Sequence, residues 1–174
     1  MRKMEVQSYD PVWPLLYHAE AARLKEAFGE QLLSIHHIGS TSVPGLAARP
    51  TIDILVEVHD IAVVDALNSA LIALGYEPYG EFGIPGRRYF PRVSGETHTH
   101  HVHVFQAGDP QSLRHLVFRD YLIAHPDKAH AYGRLKTNLA VRFPFDVSGY
   151  LDGKDAFIKA LERCALDWNE ARRA

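Results

Sequence analysis

The octapeptide TIDILVEV, Thr51 to Val58, constrains the fold more than any other stretch of this chain. Its β-branched and apolar residues alternate with acids, the pattern of a strand with one face on a core. Ile52, Ile54, Val56 and Val58 point to one side, and Asp53, Leu55 and Glu57 to the other. A second strand, HHVHVF, repeats the logic: Val102 and Val104 share a face with His100, while His101, His103 and Phe105 share the opposite face. With the valines on the core, His101 and His103 are expected on the exposed side of the sheet. If the two strands are neighbours, Asp53 and this histidine pair look out from one surface. Alternate strand residues lie about 6.6 Å apart, close enough for two imidazoles to converge on one ion, whereas Asp53 and Glu57 lie about 13 Å apart. Asp53, His101 and His103 are therefore candidate metal ligands, and Glu57 is left out.

Punctuation by glycine and proline places these strands among helices. Helical spacing from Trp13 to Phe28 ends at Gly29, a strand follows at Leu32 to Ile38, and the loop Gly39 to Pro50 leads into TIDILVEV. The run IAVVDALNSALIALGY reads as a helix stopped by Gly75. Short strands are expected at Glu77 to Phe82, Arg87 to Val93 and His100 to Gln106, as an antiparallel meander. Helices are then expected at Ser112 to Ala124, Asp127 to Arg142 and Val147 to Ala171, broken at Pro126 and Pro144. The order implies an α+β fold with a mixed sheet, flanking helices and a C-terminal helical bundle. Residues 1–110 form the α/β core and 111–174 a helical region packed on it, together one structural unit.

Composition narrows the function. A net charge of -2 over 174 residues supplies no basic footprint, so nucleic acid is not the expected partner. Cys164 is the only cysteine; it excludes a disulfide within the chain and sits in a helical apolar pattern where a buried, inert thiol is expected. No run approaches the roughly 18 apolar residues of a membrane span, so a cytoplasmic protein without membrane attachment is expected. Gly39-Ser40-Thr41 is a turn that can bring backbone N–H groups and hydroxyls to a phosphate, although no Walker lysine follows it. Arg49, Arg87 and Arg88 offer guanidinium forks for phosphate oxygens. Adjacent strand residues face opposite ways, so one of Arg87 and Arg88 enters a given site, and Arg88 is the choice. By the same alternation, one of His36 and His37 lies near the site. His18, His59, His115, His125 and His130 read as surface or capping residues.

Gly39-Ser40, a loop, and Asp53 on an apolar strand together resemble the signature of the polymerase-β-type nucleotidyltransferase superfamily. More closely, HIGSTSVPGLAARPTIDILV resembles the signature of the GrpB-like family within it. YDPVW, GIPGRRYF, THHVHVF, FRDYLIAHP, Tyr150, Lys154 and Phe157-Ile158 follow as further landmarks in order, covering nearly the whole chain. The resemblance implies a Gly39-Ser40 turn holding the phosphates of a nucleotide, with Asp53 as first metal-binding acid and Ser40 and Asp53 as the catalytic pair. It also implies a lysine and a tyrosine brought from the helices, for which Lys136, Tyr150 and Lys154 are the candidates. The divalent ion would be magnesium, manganese or zinc.

The chain departs from the superfamily at Leu55, where a second acid belongs, and at His101 and His103, which occupy the strand expected to carry a third. Imidazole suits a transition metal better than magnesium. Three functions follow: metal-dependent nucleotidyl transfer with a nucleotide or phosphorylated small molecule as ligand; phosphoester hydrolysis at an Asp53–His101–His103 metal with an open water position; or non-catalytic nucleotide binding linked to coenzyme A metabolism, since similar domains resemble partners fused to dephospho-coenzyme A kinases.

Overall fold

A computed structural model describes residues 3–173. Helix α1 (Val12–Phe28) leads into β1 (Leu32–Ile38), and a single 3₁₀ turn, Ser40–Ser42, opens the loop before β2 (Ile52–Val58). A short helix α2 (Asn68–Ala73) precedes the hairpin β3 (Arg88–Ser94) and β4 (Thr97–Gln106). Helices α3 (Pro110–Ala124), α4 (Pro126–Arg142) and α5 (Val147–Arg173) complete the chain. The sheet has strand order β1-β2-β4-β3, with β2 and β4 parallel and the outer pairs antiparallel. The fold is thus α+β with a mixed sheet.

Alternation sorts the two faces. Ile52, Ile54, Val56 and Val58 join Val102, Val104 and Phe90 under α1, where Trp13, Leu24 and Phe28 seal the core. Burying an aromatic or branched apolar side chain of this size contributes about 1.5–3 kcal/mol, so this face carries much of the stability. The opposite face is not open as expected. Leu55 and Phe105 pack with Ile38 and with Leu116 of α3, and His101 and His103 are only partly exposed. The helices also reach the loop after β1: Val43 and Leu46 lie in the core of the bundle with Val117, Tyr121, Tyr132 and Leu161. Arg119 of α3 donates to the His37 carbonyl at 3.2 Å, a further tie between bundle and sheet.

Four local expectations are corrected. Glu77 to Phe82 is not a strand: it begins alongside β3, with Tyr79 N–H donating to the Tyr89 carbonyl at 2.9 Å, then turns away. Gly80, Gly83 and Gly86 all adopt positive φ, which bends the segment into a lobe. The meander is likewise replaced, because β4 inserts beside β2 in parallel. The Ile61 run forms a 3₁₀ segment, Ile61–Leu67, before its helix, capped by Asp60 accepting from the Ala62 N–H. Cys164 is exposed, because α5 buries Leu161, Ala165 and Asn169 at four-residue spacing and Cys164 falls beside that stripe.

Candidate functional site

Asp53 lies opposite His101 in the parallel β2–β4 ladder, so both side chains leave the same face. His101 Nδ1 is 3.5 Å and His103 Nε2 3.4 Å from the same atom, Asp53 Oδ1. Burial opposes the carboxylate charge, but the two histidine hydrogen bonds and their charge outweigh it and hold Asp53 well below the usual carboxylate range. Arg87 fixes one tautomer. Its Nη1 is 3.3 Å from His103 Nδ1, and a guanidinium only donates, so the neutral ring carries its proton on Nε2, toward Asp53. On the other ring, His101 Nε2 is 2.8 Å from His98 Nδ1.

Among the described residues no group of three or more His, Cys, Asp or Glu is disposed to hold a metal ion. Asp53 Oδ1 itself occupies the point on which the two rings converge, and His98 and Arg87 engage their remaining nitrogens. Asp53, His101 and His103 form an acid–histidine cluster.

The Gly-Ser turn is pressed against that carboxylate. Gly39 has φ 72°, and a Cβ on it would lie 2.5 Å from Asp53 Oδ2, so glycine alone fits. Ser40 Oγ accepts from Lys136 Nζ at 2.7 Å. Lys136 projects from α4 with 2 % exposure, and its Nζ lies 4.4 Å from the Tyr132 ring centre. Burial, then repulsion from Lys154, pushes its ammonium well below the usual lysine range. From α5, Lys154 Nζ sits 5.0 Å from the Tyr150 ring, and burial with repulsion from Arg49 lowers it to about 8. Among the described residues the buried Tyr150 hydroxyl has no hydrogen-bond partner. Ser40, Thr41, Arg49, Asp53, His101, Lys136, Tyr150 and Lys154 line one cleft of ≈ 120 Å³ between sheet and bundle.

Other candidates fall elsewhere. Arg88 turns away and pairs with Asp65 at 2.9 Å, while Arg87 faces the histidines; the glycine-rich turn before β3 had hidden that parity. Of the histidine pair, His36 sits 3.6 Å from Glu57, whereas His37 lies by the turn, 2.9 Å from Thr41 Oγ1 and stacked on Tyr17. Burial lowers His37 to about 4. His115 is no surface residue: its ring lies 5.6 Å from that of His103, and burial lowers it to about 3. Arg49, offered by the sequence as a phosphate fork, does line the cleft, whereas Tyr132 and His98 were not singled out as site residues. Only Tyr132 had a readable signal, standing one helical turn before Lys136.

Residues 3–163 match the model of the GrpB protein family, and the chain belongs to that family. The UPF0157 protein YqkA of Bacillus subtilis is 46% identical over 171 residues, covering 98% of this chain and 50% of YqkA. A dephospho-CoA kinase of Mycolicibacterium paratuberculosis is 30% identical over 187 residues, covering 93% of this chain and 46% of the kinase. The chain therefore spans about half the length of each of these two relatives. The crystal structure of GrpB from Enterococcus faecalis superposes with a TM-score of 0.91 at 45% identity, covering 95% of this chain and 99% of that one. Likeness to the Cid1 poly(U) polymerase bound to MgATP is weak: TM-score 0.45, 10% identity, 76% of this chain and 45% of that one. Among the described residues no helix is long and apolar enough to cross a membrane.

Proposed function

We propose that this protein binds a nucleotide or similar phosphorylated small molecule, with its phosphates in the cleft at Ser40, Lys136, Lys154 and Arg49. The observation that carries this reading is the excess of cations there. Among the described residues no carboxylate pairs with any of the three, and the acid acting on both lysines, Asp53, is engaged by His101 and His103. A buried ammonium bonded only to a neutral hydroxyl is costly in the ligand-free protein. A phosphate supplies the missing charge and accepts from Lys136, from Ser40 and from the unpartnered Tyr150 hydroxyl.

Transfer of the nucleotidyl group is a second, finer reading, with Asp53 as its one carboxylate. Position 55 weighs against the two-carboxylate form of that reaction. Leu55 is fully buried against Ile38 and Phe105, and an acid placed there would lie in an apolar cluster. Calorimetric titration with inorganic tripolyphosphate, in wild type and Lys136→Met, tests the binding reading. Loss of one charge-assisted contact raises Kd by about tenfold or more. Unchanged affinity would remove Lys136 from the site. Turnover lost in Asp53→Asn, with binding retained, would establish transfer or hydrolysis, and labelled water in the product would separate the two.

A further inference from the structure

Across the histidines from the phosphate cleft stands an aromatic ledge. Phe82 stacks on Tyr89 with ring centres 5.3 Å apart and planes at 12°, and Tyr79 closes on Phe82 at 5.2 Å. Stacking occupies one side of the Phe82 ring, which is still 61% exposed. Phe82 is also the one residue other than glycine with positive φ among those described, at 46°. A bulky residue in that region is strained, and the side of its ring left to water returns nothing to folding.

Arg87 maintains this arrangement and ties it to the cleft. Its Nη2 donates to the Phe82 carbonyl at 2.8 Å and its Nε to the Glu81 carbonyl at 3.2 Å. Its guanidinium lies 4.7 Å from the Tyr89 ring centre, and its Nη1 meets the His103 ring that faces Asp53. Tyr89 pairs with His103 across β3 and β4, so the ledge rises from the same face as Asp53. Two strand spacings, about 10 Å, separate Tyr89 from β2, the strand that carries Asp53.

We propose that the ledge of Phe82, Tyr79 and Tyr89 is the base-stacking subsite of a mononucleotide whose phosphates lie at Ser40 and Lys136. This rests on the phosphate reading of the cleft and narrows its ligand from any phosphorylated small molecule to one carrying a flat heteroaromatic ring. Every nucleobase has a π-face, so stacking is tolerant of base identity. The strained backbone of Phe82 is then explained, since it presents the ring to the ligand rather than to the core.

The test is calorimetric titration with inorganic tripolyphosphate and with ATP, GTP, CTP and UTP, in wild type and in Phe82→Gly. Glycine accepts the positive φ, so this variant keeps the backbone of the lobe while losing the ring contacts with Tyr79 and Tyr89. At least one nucleoside triphosphate is expected to bind about tenfold or more tightly than tripolyphosphate, and Phe82→Gly should abolish that advantage while leaving tripolyphosphate affinity unchanged. Tripolyphosphate matching all four nucleotides overturns the ledge and leaves the phosphate cleft standing. An advantage that survives Phe82→Gly also overturns it. No binding by any of the five overturns both.

Discussion

Glu20 and Lys136 are both charged side chains with almost no access to water, and the protein treats them in opposite ways. Glu20, 4% exposed beneath the core face of the sheet, accepts from the Tyr76 hydroxyl at 2.8 Å, from Arg92 at 3.1 Å and from Arg23 at 3.1 Å. Lys136, on the other side of the sheet, has a serine hydroxyl and an aromatic ring. One buried charge is answered from within the fold, and the other is left for something to answer. Buried ions that serve structure are paired and hydrogen-bonded, so an incompletely paired one marks a place where structure has been set aside for binding.

The sharpest way to break this contrast is to remove both charges in separate variants and compare stability. Glu20→Ala leaves Arg92 and the Tyr76 hydroxyl without their acceptor, and should lower unfolding free energy by about 3 kcal/mol in urea titration while leaving tripolyphosphate affinity unchanged. Lys136→Met should do the reverse. With no acid to orphan and a similar volume to fill, the ligand-free protein should keep or gain about 1 kcal/mol, yet lose its anion. A destabilised Lys136→Met would mean that the ammonium is structurally answered, and the contrast would fail.

The sequence showed these two regions unevenly. Alternation in TIDILVEV and HHVHVF correctly sorted side chains onto two faces, because strand parity is local, but did not show that the second face also buries Leu55 and Phe105. Adjacency of β2 and β4 was not local, since residues 59–96, with α2 and β3, intervene, so the Asp53–His101 pairing could only be posed conditionally. Burial of Lys136 was invisible for a related reason. A lysine on a helix reads as solvated until another element covers it, and here the cover comes from the Ser40 turn and α5. Glu77 to Phe82 misled because Tyr79 and Phe82 favour strands, while Gly80 within it and Gly83 and Gly86 after it, all at positive φ, decide the conformation.

Gly39 offers a smaller perturbation that touches only the binding side. Gly39→Ala places a methyl against Asp53 and forces an L-residue to φ 72°. The cost should be about 1–3 kcal/mol, read as a lower melting temperature. Its Asp53 must also shift, so turnover, if present, should fall by more than the loss of folded protein accounts for. Equal losses would confine the effect to the backbone.

The subtlest test uses pH, because it changes the charge without changing the packing. Lys154 in the ligand-free fold titrates at about 8, against a usual lysine value of 10.5. Between those values the unfolded chain binds more protons than the folded one, so the ligand-free protein should become more stable as pH rises through this window. Anion affinity should move oppositely, falling above about 8 as the ammonium is lost. Lys154→Gln should flatten the Lys154 part of both curves while leaving that of Lys136. Glu20 sits on the structural side, and Glu20→Ala should leave the shape of the anion curve unchanged. A protein whose stability and anion affinity fell together above pH 8 would have its lysines answered from within, as Glu20 is, and the two buried charges would no longer differ in kind.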